Sequence, residues 1–152
     1  MTDRHPPPSP EDFEFFHGLR VRWAEVDPQG IVFNAHYLTY ADVAFTEYMR
    51  TIGFPYPDGL QALGTDLFAV SASLDYQGSA RFDDELEIGV RVERIGRTSI
   101  RFLIGVFRNR EILVTARLTF VNATREGVTP TPVPEAFIQR ILAFEEREPS
   151  RD

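Results

Sequence analysis

The chemistry of this chain is concentrated between Trp23 and Tyr37, where the sequence reads WAEVDPQGIVFNAHY. An acidic turn, Asp27-Pro28-Gln29-Gly30, runs almost directly into a helical pattern that opens at Tyr37. A carboxylate on such a turn faces the backbone N–H groups that the first turn of a helix leaves without partners. A base or nucleophile and an anion-stabilising surface then share one small space. That pairing suits acyl transfer: Asp27 attacks or activates water, and the amides hold the charge developing on a carbonyl oxygen. The plainer reading of the same four residues is a turn, because Asp-Pro-x-Gly is common in turns and Asp often caps helices.

Three neighbours extend the constellation. Glu25 lies two residues before Asp27, on the same side if strand geometry persists, where like-charge repulsion would make Asp27 a better base; otherwise it is an exposed charge at a strand end. Asn34 could orient a bound substrate or cap the helix. His36 could serve as an acid or orient a carboxylate, although a lone His at a helix start is more often solvated. The chain has no Cys, which excludes a thiol nucleophile, a disulfide framework and a Cys-ligated zinc.

The elements that must position these groups follow from hydrophobic period. Between Phe13 and Val26, Leu19, Val21 and Trp23 alternate with Arg20 and Arg22, the mark of a strand with one buried face. From Tyr37 to Ile52 the apolar positions take helical spacing, giving a helix of about 24 Å that stops near Gly53 and Pro55. Residues Phe54 to Asp66 read as a connection with one helical turn at Leu60 to Leu63. Four strands follow, Leu67 to Tyr76, Glu85 to Ile95, Ser99 to Arg108 and Glu111 to Asn122, joined in part by hairpin-length links. A short helix is expected from Pro134 to Glu146.

A strand, one long helix and four consecutive strands make an α+β chain in which the helix covers one face of a five-stranded antiparallel sheet, the layout of a hotdog fold. A single domain is expected over 13–147, flanked by a disordered, Pro-rich arm at 1–12 and a flexible tail at 148–152. The Leu67 to Tyr76 strand is expected at an edge that pairs with a second copy.

Composition narrows the partners. With 152 residues and a net charge of −7, one core is expected and generic binding to nucleic acid is disfavoured. All 16 basic residues counted as Lys+Arg are Arg, which carries little weight beyond codon bias. No apolar run approaches the roughly 18 residues of a bilayer span, so membrane insertion is not expected. Nor does the start resemble a secretory signal, and a cytoplasmic location is the expectation.

With this layout in place, the chain resembles the 4-hydroxybenzoyl-CoA thioesterase family of hotdog-fold proteins, and its bacterial acyl-CoA thioester hydrolase branch. The family's unit, aromatic-x-Asp/Glu-x-Asp-x-x-Gly-x-Val followed by a polar residue near the helix start and a Tyr in its first turn, is filled by Trp23, Glu25, Asp27, Gly30, Val32, Asn34 and Tyr37. Leu74-Asp75-Tyr76 with Ala80 to Asp84, and Arg94 to Ser99, match two further stretches. Ile31 and Phe33 depart from slots where the family often has His or Tyr.

The resemblance implies an acyl-CoA thioesterase working without metal or cofactor, as a homodimer or a dimer of dimers with sites at the subunit interface. It implies Asp27 as the catalytic carboxylate and the backbone amide of Asn34 as oxyanion donor. Arg97, Thr98 and Ser99 would approach the coenzyme A phosphates, and Tyr37 would lie beside the substrate. Two other readings stay open: a hotdog dimer that binds acyl-CoA without cleaving it, and a hydratase or dehydratase on the same fold using His36.

Overall fold

In β3, Glu85–Ile95, the residues Leu86, Ile88, Val90 and Val92 all turn to one side and are buried, as their spacing requires. The same holds for Ile100, Phe102, Ile104 and Val106 in β4, Ser99–Arg108, and for Val114, Ala116 and Leu118 in β5, Glu111–Thr124. In the computed structural model, which describes residues 5–151, these strands join β1, Phe15–Arg20, and β2, Thr65–Tyr76, in one antiparallel sheet of order β1-β3-β4-β5-β2. The β4–β5 hairpin turns on Asn109 and Arg110, both at positive φ, as a tight two-residue turn demands.

Helix α1, His36–Thr51, lies across the inner face. Ala41 and Ala44 carry no bulk and let it approach the sheet, while Tyr40, Phe45, Tyr48 and Met49 fill the space between. The Phe45 ring stacks on Phe120 and meets Phe102 edge-on, each at 5.1 Å. The one-turn helix α2, Asp58–Gln61, follows α1, and α3, Glu135–Phe144, closes the core with Phe137, Ile138 and Ile141. Among the described residues no helix is long and apolar enough to cross a membrane.

The hotdog layout expected from the sequence is present, with local differences. The first strand ends at Arg20, six residues short of Val26, because Trp23–Glu25 form a 3-10 turn. Glu25 closes that turn by accepting the Arg22 N–H at 2.8 Å, which breaks the alternation and leaves Trp23 74% exposed rather than buried. The single helical turn before β2 falls at Asp58–Gln61 rather than Leu60 to Leu63.

At the N-terminus, residues 1–4 of the expected arm lie outside the described residues, and Pro10–Asp12 form a 3-10 turn whose Asp12 meets Arg147 at 2.8 Å. In the expected tail, Ser150–Arg151 form a two-residue strand, β6, parallel to Arg94–Ile95; residue 152 lies outside the described residues.

Candidate active site

Val26 and Val32 pair as an isolated antiparallel bridge and close a loop whose tip is Asp27 to Gly30. Within it, the Asp27 N–H donates to the Ile31 carbonyl at 2.9 Å and the Gly30 N–H to the Asp27 carbonyl at 2.9 Å. Gly30 sits at φ +78°, a conformation that a side chain would strain, so glycine is required for the turn. The Asp27 side chain is itself fixed: Oδ1 accepts the Gln29 N–H at 2.8 Å. Its Oδ2 has no hydrogen-bond donor among the described residues.

The loop is fastened to its surroundings on both sides. Val32 donates to the Ala80 carbonyl and Phe33 to the Glu25 carbonyl, each at 2.9 Å. Helix α1 then begins without help from a side chain: Ala35 is the N-cap residue, no side chain caps it, and no acid lies in its first turn. The Phe33 carbonyl accepts the His36 N–H at 2.9 Å, and the Asn34 carbonyl accepts the Tyr76 hydroxyl at 3.1 Å. Among the described residues the Asn34 N–H has no acceptor, so one strong donor is left at the helix start.

Asp27, Gln29, Asn34, Tyr37, Tyr76 and Ser79 line one pocket of about 190 Å³. This is smaller than the roughly 300 to 1,000 Å³ of sites that enclose a drug-sized ligand, so one chain has room here for only a small group. Tyr37 forms the floor, its buried phenol oxygen accepting the Ala80 N–H at 2.9 Å. Burial is the main cause that pushes its pKa up, so it stays a neutral phenol. Among the described residues no cluster of three or more His, Asp or Glu could hold a metal ion.

Of the sequence-derived site residues, Asp27, Asn34 and Tyr37 meet in this pocket, and Gly30 shapes its turn. Glu25 does not join them. Because the strand fails to persist, its 6% exposed carboxylate turns inward, accepting the Tyr40 hydroxyl at 2.9 Å and the Arg22 guanidinium at 2.6 Å. Burial raises the Glu25 pKa, but these hydrogen bonds outweigh it and the net shift is downward. His36 opens α1 with its ring against Phe33 at 5.8 Å and is not among the pocket's lining residues. Nor does Asn34 cap the helix; the chain reaches it one residue too early.

Arg97, Thr98 and Ser99 lie at the other end of the sheet. Tyr76, at the pocket, pairs through Val114 with Val106, whereas Ser99 is seven residues earlier on β4, about 23 Å away along the strand. Within one chain this hairpin is remote from Asp27. Tyr76 lines the pocket beside Tyr37, whereas Phe54 and Tyr56 pack against Phe137 and Phe45 in the core. Gly78 and Ser79, which also line it, carry a signal only in the turn-like run after β2.

A sheet wrapped around one long helix, with Asp27 and Asn34 lining one pocket at the helix start, has the fold of hotdog thioesterases. Known proteins agree. A family model described as the thioesterase superfamily matches residues 29–124, and the chain belongs to that family.

An acyl-CoA thioesterase from Haemophilus influenzae, YbgC, is 27% identical over 124 residues, 82% of this chain and 91% of that protein. A crystal structure of a thioesterase from Thermus thermophilus complexed with coenzyme A and zinc is 33% identical. It covers 91% of this chain and 98% of its own, with a TM-score of 0.77. The PA5185 protein of Pseudomonas aeruginosa superposes with a TM-score of 0.81 at 27% identity, over 92% of this chain and 97% of its own.

Proposed function

We propose that this enzyme hydrolyses acyl-CoA thioesters, with Asp27 as the catalytic carboxylate and the Asn34 N–H as the donor to the thioester oxygen. The observation that carries this reading is the shared pocket: Asp27, whose Oδ2 has no donor among the described residues, and Asn34, whose N–H has no acceptor among them, line one cavity at the start of α1. The thioester carbon needs no stronger machinery, since its carbonyl is already electrophilic and a thiolate leaves readily.

Asp27 takes a proton from water as the water oxygen bonds to the carbonyl carbon, or attacks that carbon itself to give a mixed anhydride that water opens. Negative charge collects on the carbonyl oxygen against the Asn34 amide. The C–S bond breaks as this charge collapses back: on the general-base route the thiolate takes up the proton that Asp27 removed from water, and on the nucleophilic route it leaves as the anhydride forms and is protonated by the proton released when water opens that anhydride.

The site is completed by a second copy. β2 is an edge strand with Val70 and Tyr76 exposed, and pairing along this edge would cover its open hydrogen-bonding groups. Such an assembly would also allow Arg97, Thr98 and Ser99 of another subunit to reach the nucleotide end of the substrate, from which the same hairpin of its own chain is remote. Charge-assisted contacts of Arg97 with phosphate fit that role.

The test is thiol release from a panel of short, medium, long and aromatic acyl-CoAs, comparing the parent with Asp27→Asn. Turnover on part of the panel that depends on Asp27 supports the reading. Binding without thiol release would make the protein an acyl-CoA carrier or sensor, and turnover that survives Asp27→Asn would remove Asp27 from the mechanism.

A further inference from the structure

Two peptide planes meet at Asn34, and each is held through its carbonyl. The plane before Asn34 is tied inside the chain turn, its Phe33 oxygen accepting the His36 N–H at 2.9 Å. Because the peptide is trans, the Asn34 N–H on that plane points the opposite way. The plane after Asn34 is tied only from outside: its oxygen accepts the Tyr76 hydroxyl at 3.1 Å and has no other donor among the described residues. Elsewhere a capping side chain would stiffen such a helix start, but here the N-cap is Ala35 and no side chain caps it.

We infer that Tyr76 is a positioning residue for the Asn34 amide, and that through it the geometry at the carbonyl-binding donor depends on the edge strand β2. This rests on the proposed role of Asn34 in thioester hydrolysis. The link is short and braced. Tyr76 is the last residue of β2, paired with Val114, and the next two N–H groups, of Gln77 and Gly78, both donate to the Leu113 carbonyl at 2.8 and 2.9 Å.

Its ring meets that of Tyr37 edge-on at 5.9 Å, and Tyr37 in turn accepts the Ala80 N–H. The end of the strand, the tyrosine pair and the helix start are therefore joined by a continuous set of contacts. On its other side β2 has no neighbour among the described residues. A displacement of this edge would reach Asn34 through a single hydroxyl.

Tyr76 is 52% exposed, so replacing it by Phe removes one hydroxyl without opening the core. The experiment compares full-length parent and Tyr76→Phe by two readings. The first, taken without substrate, is hydrogen exchange at the His36 amide, whose bond to the Phe33 carbonyl reports on order at the helix start. The second is steady-state hydrolysis of the best acyl-CoA of the panel. Expected are exchange at least about 5-fold faster and kcat lower by about 10-fold, with KM within about 2-fold, as misplacement of a transition-state donor requires.

Unchanged exchange with unchanged kcat overturns the inference. So does a rise in KM at constant kcat, which would make Tyr76 a wall of the substrate pocket and nothing more. A parent that hydrolyses no acyl-CoA would sink the proposed function, whereas the exchange reading would still decide whether Tyr76 orders the helix start.

Discussion

The Tyr40 hydroxyl donates to Oε1 of Glu25 across 2.9 Å, tying the middle of the first helical turns to the 3-10 turn that precedes the Asp27 loop. Both groups are buried, and the same carboxylate also holds the Arg22 N–H and guanidinium. Burial, reinforced by the adjacent carboxylate, pushes the Tyr40 phenol far above its usual range, so it remains a donor. Glu25 thus ties the turn that leads into the Asp27 loop to α1.

Glu25→Ala strands the Tyr40 hydroxyl in the core and releases the Arg22 turn. The expected loss of stability is about 1 to 3 kcal/mol, the cost of leaving a buried donor without a partner. Urea unfolding measures it, and Glu25→Gln, which keeps an acceptor, should recover part of the loss. A variant as stable as the parent would show that Arg22 and Tyr40 find water instead.

Asp27→Asn keeps the amide oxygen that can accept the Gln29 N–H, so the turn should persist. What is lost is the anionic oxygen in the pocket. The expected result is a fall in kcat of at least about 100-fold at unchanged melting temperature, the scale of a positioned base. A folded variant with near-parental turnover would be incompatible with the proposed chemistry.

The sheet and α1 were legible in the sequence because each is written by a repeating period that burial enforces, as in Ile100, Phe102, Ile104 and Val106. The Trp23–Glu25 turn was not. Period-2 alternation continues through Leu19, Val21 and Trp23, and what ends it is one side chain folding back on the Arg22 N–H. A Glu three residues after a turn-starting residue is a capping signal, but Arg22 lacks the hydroxyl or short carboxylate that would have announced it.

Asp27 and Asn34 could be read because they are local. Tyr76 lies 42 residues from the carbonyl it holds, and no spacing in the sequence links the two. The hairpin at Arg97 was visible as a hairpin, yet the end of the sheet on which it sits depends on strand order, which spacing does not encode.

The exposed edge of β2 leads to an expectation of mass. Light scattering should give twice 17.4 kDa or a higher even multiple across the micromolar range, because a 12-residue strand left open would otherwise expose its hydrogen-bonding row to solvent. A monomer that retains full hydrolytic activity would remove the need for a second copy at the site.

A last consequence lies far from the pocket. Glu145, at the C-terminal end of α3, is 7% exposed and accepts the Tyr48 hydroxyl of α1 at 3.1 Å. Burial is the dominant influence and raises its pKa from 4.5 to about 7. Glu14, ahead of β1, adds to that, while Tyr48, Arg91 of β3 and the Val92 N–H oppose it.

The sign follows from proton binding. Between pH 4.5 and 7 the unfolded chain has released the Glu145 proton and the folded chain has kept it. This group's contribution is therefore complete below 4.5, declines as pH rises and is gone above about 7. The decline is bounded by about 3 kcal/mol. Glu145→Gln keeps an acceptor for Tyr48 and removes the titration. The unfolding free energy of the variant relative to the parent should climb from pH 4.5 to 7 and level off above, read from urea midpoints at unit intervals. A relative stability that stays flat across that window would mean Glu145 is ionised in the folded protein, with Arg91 as its effective partner.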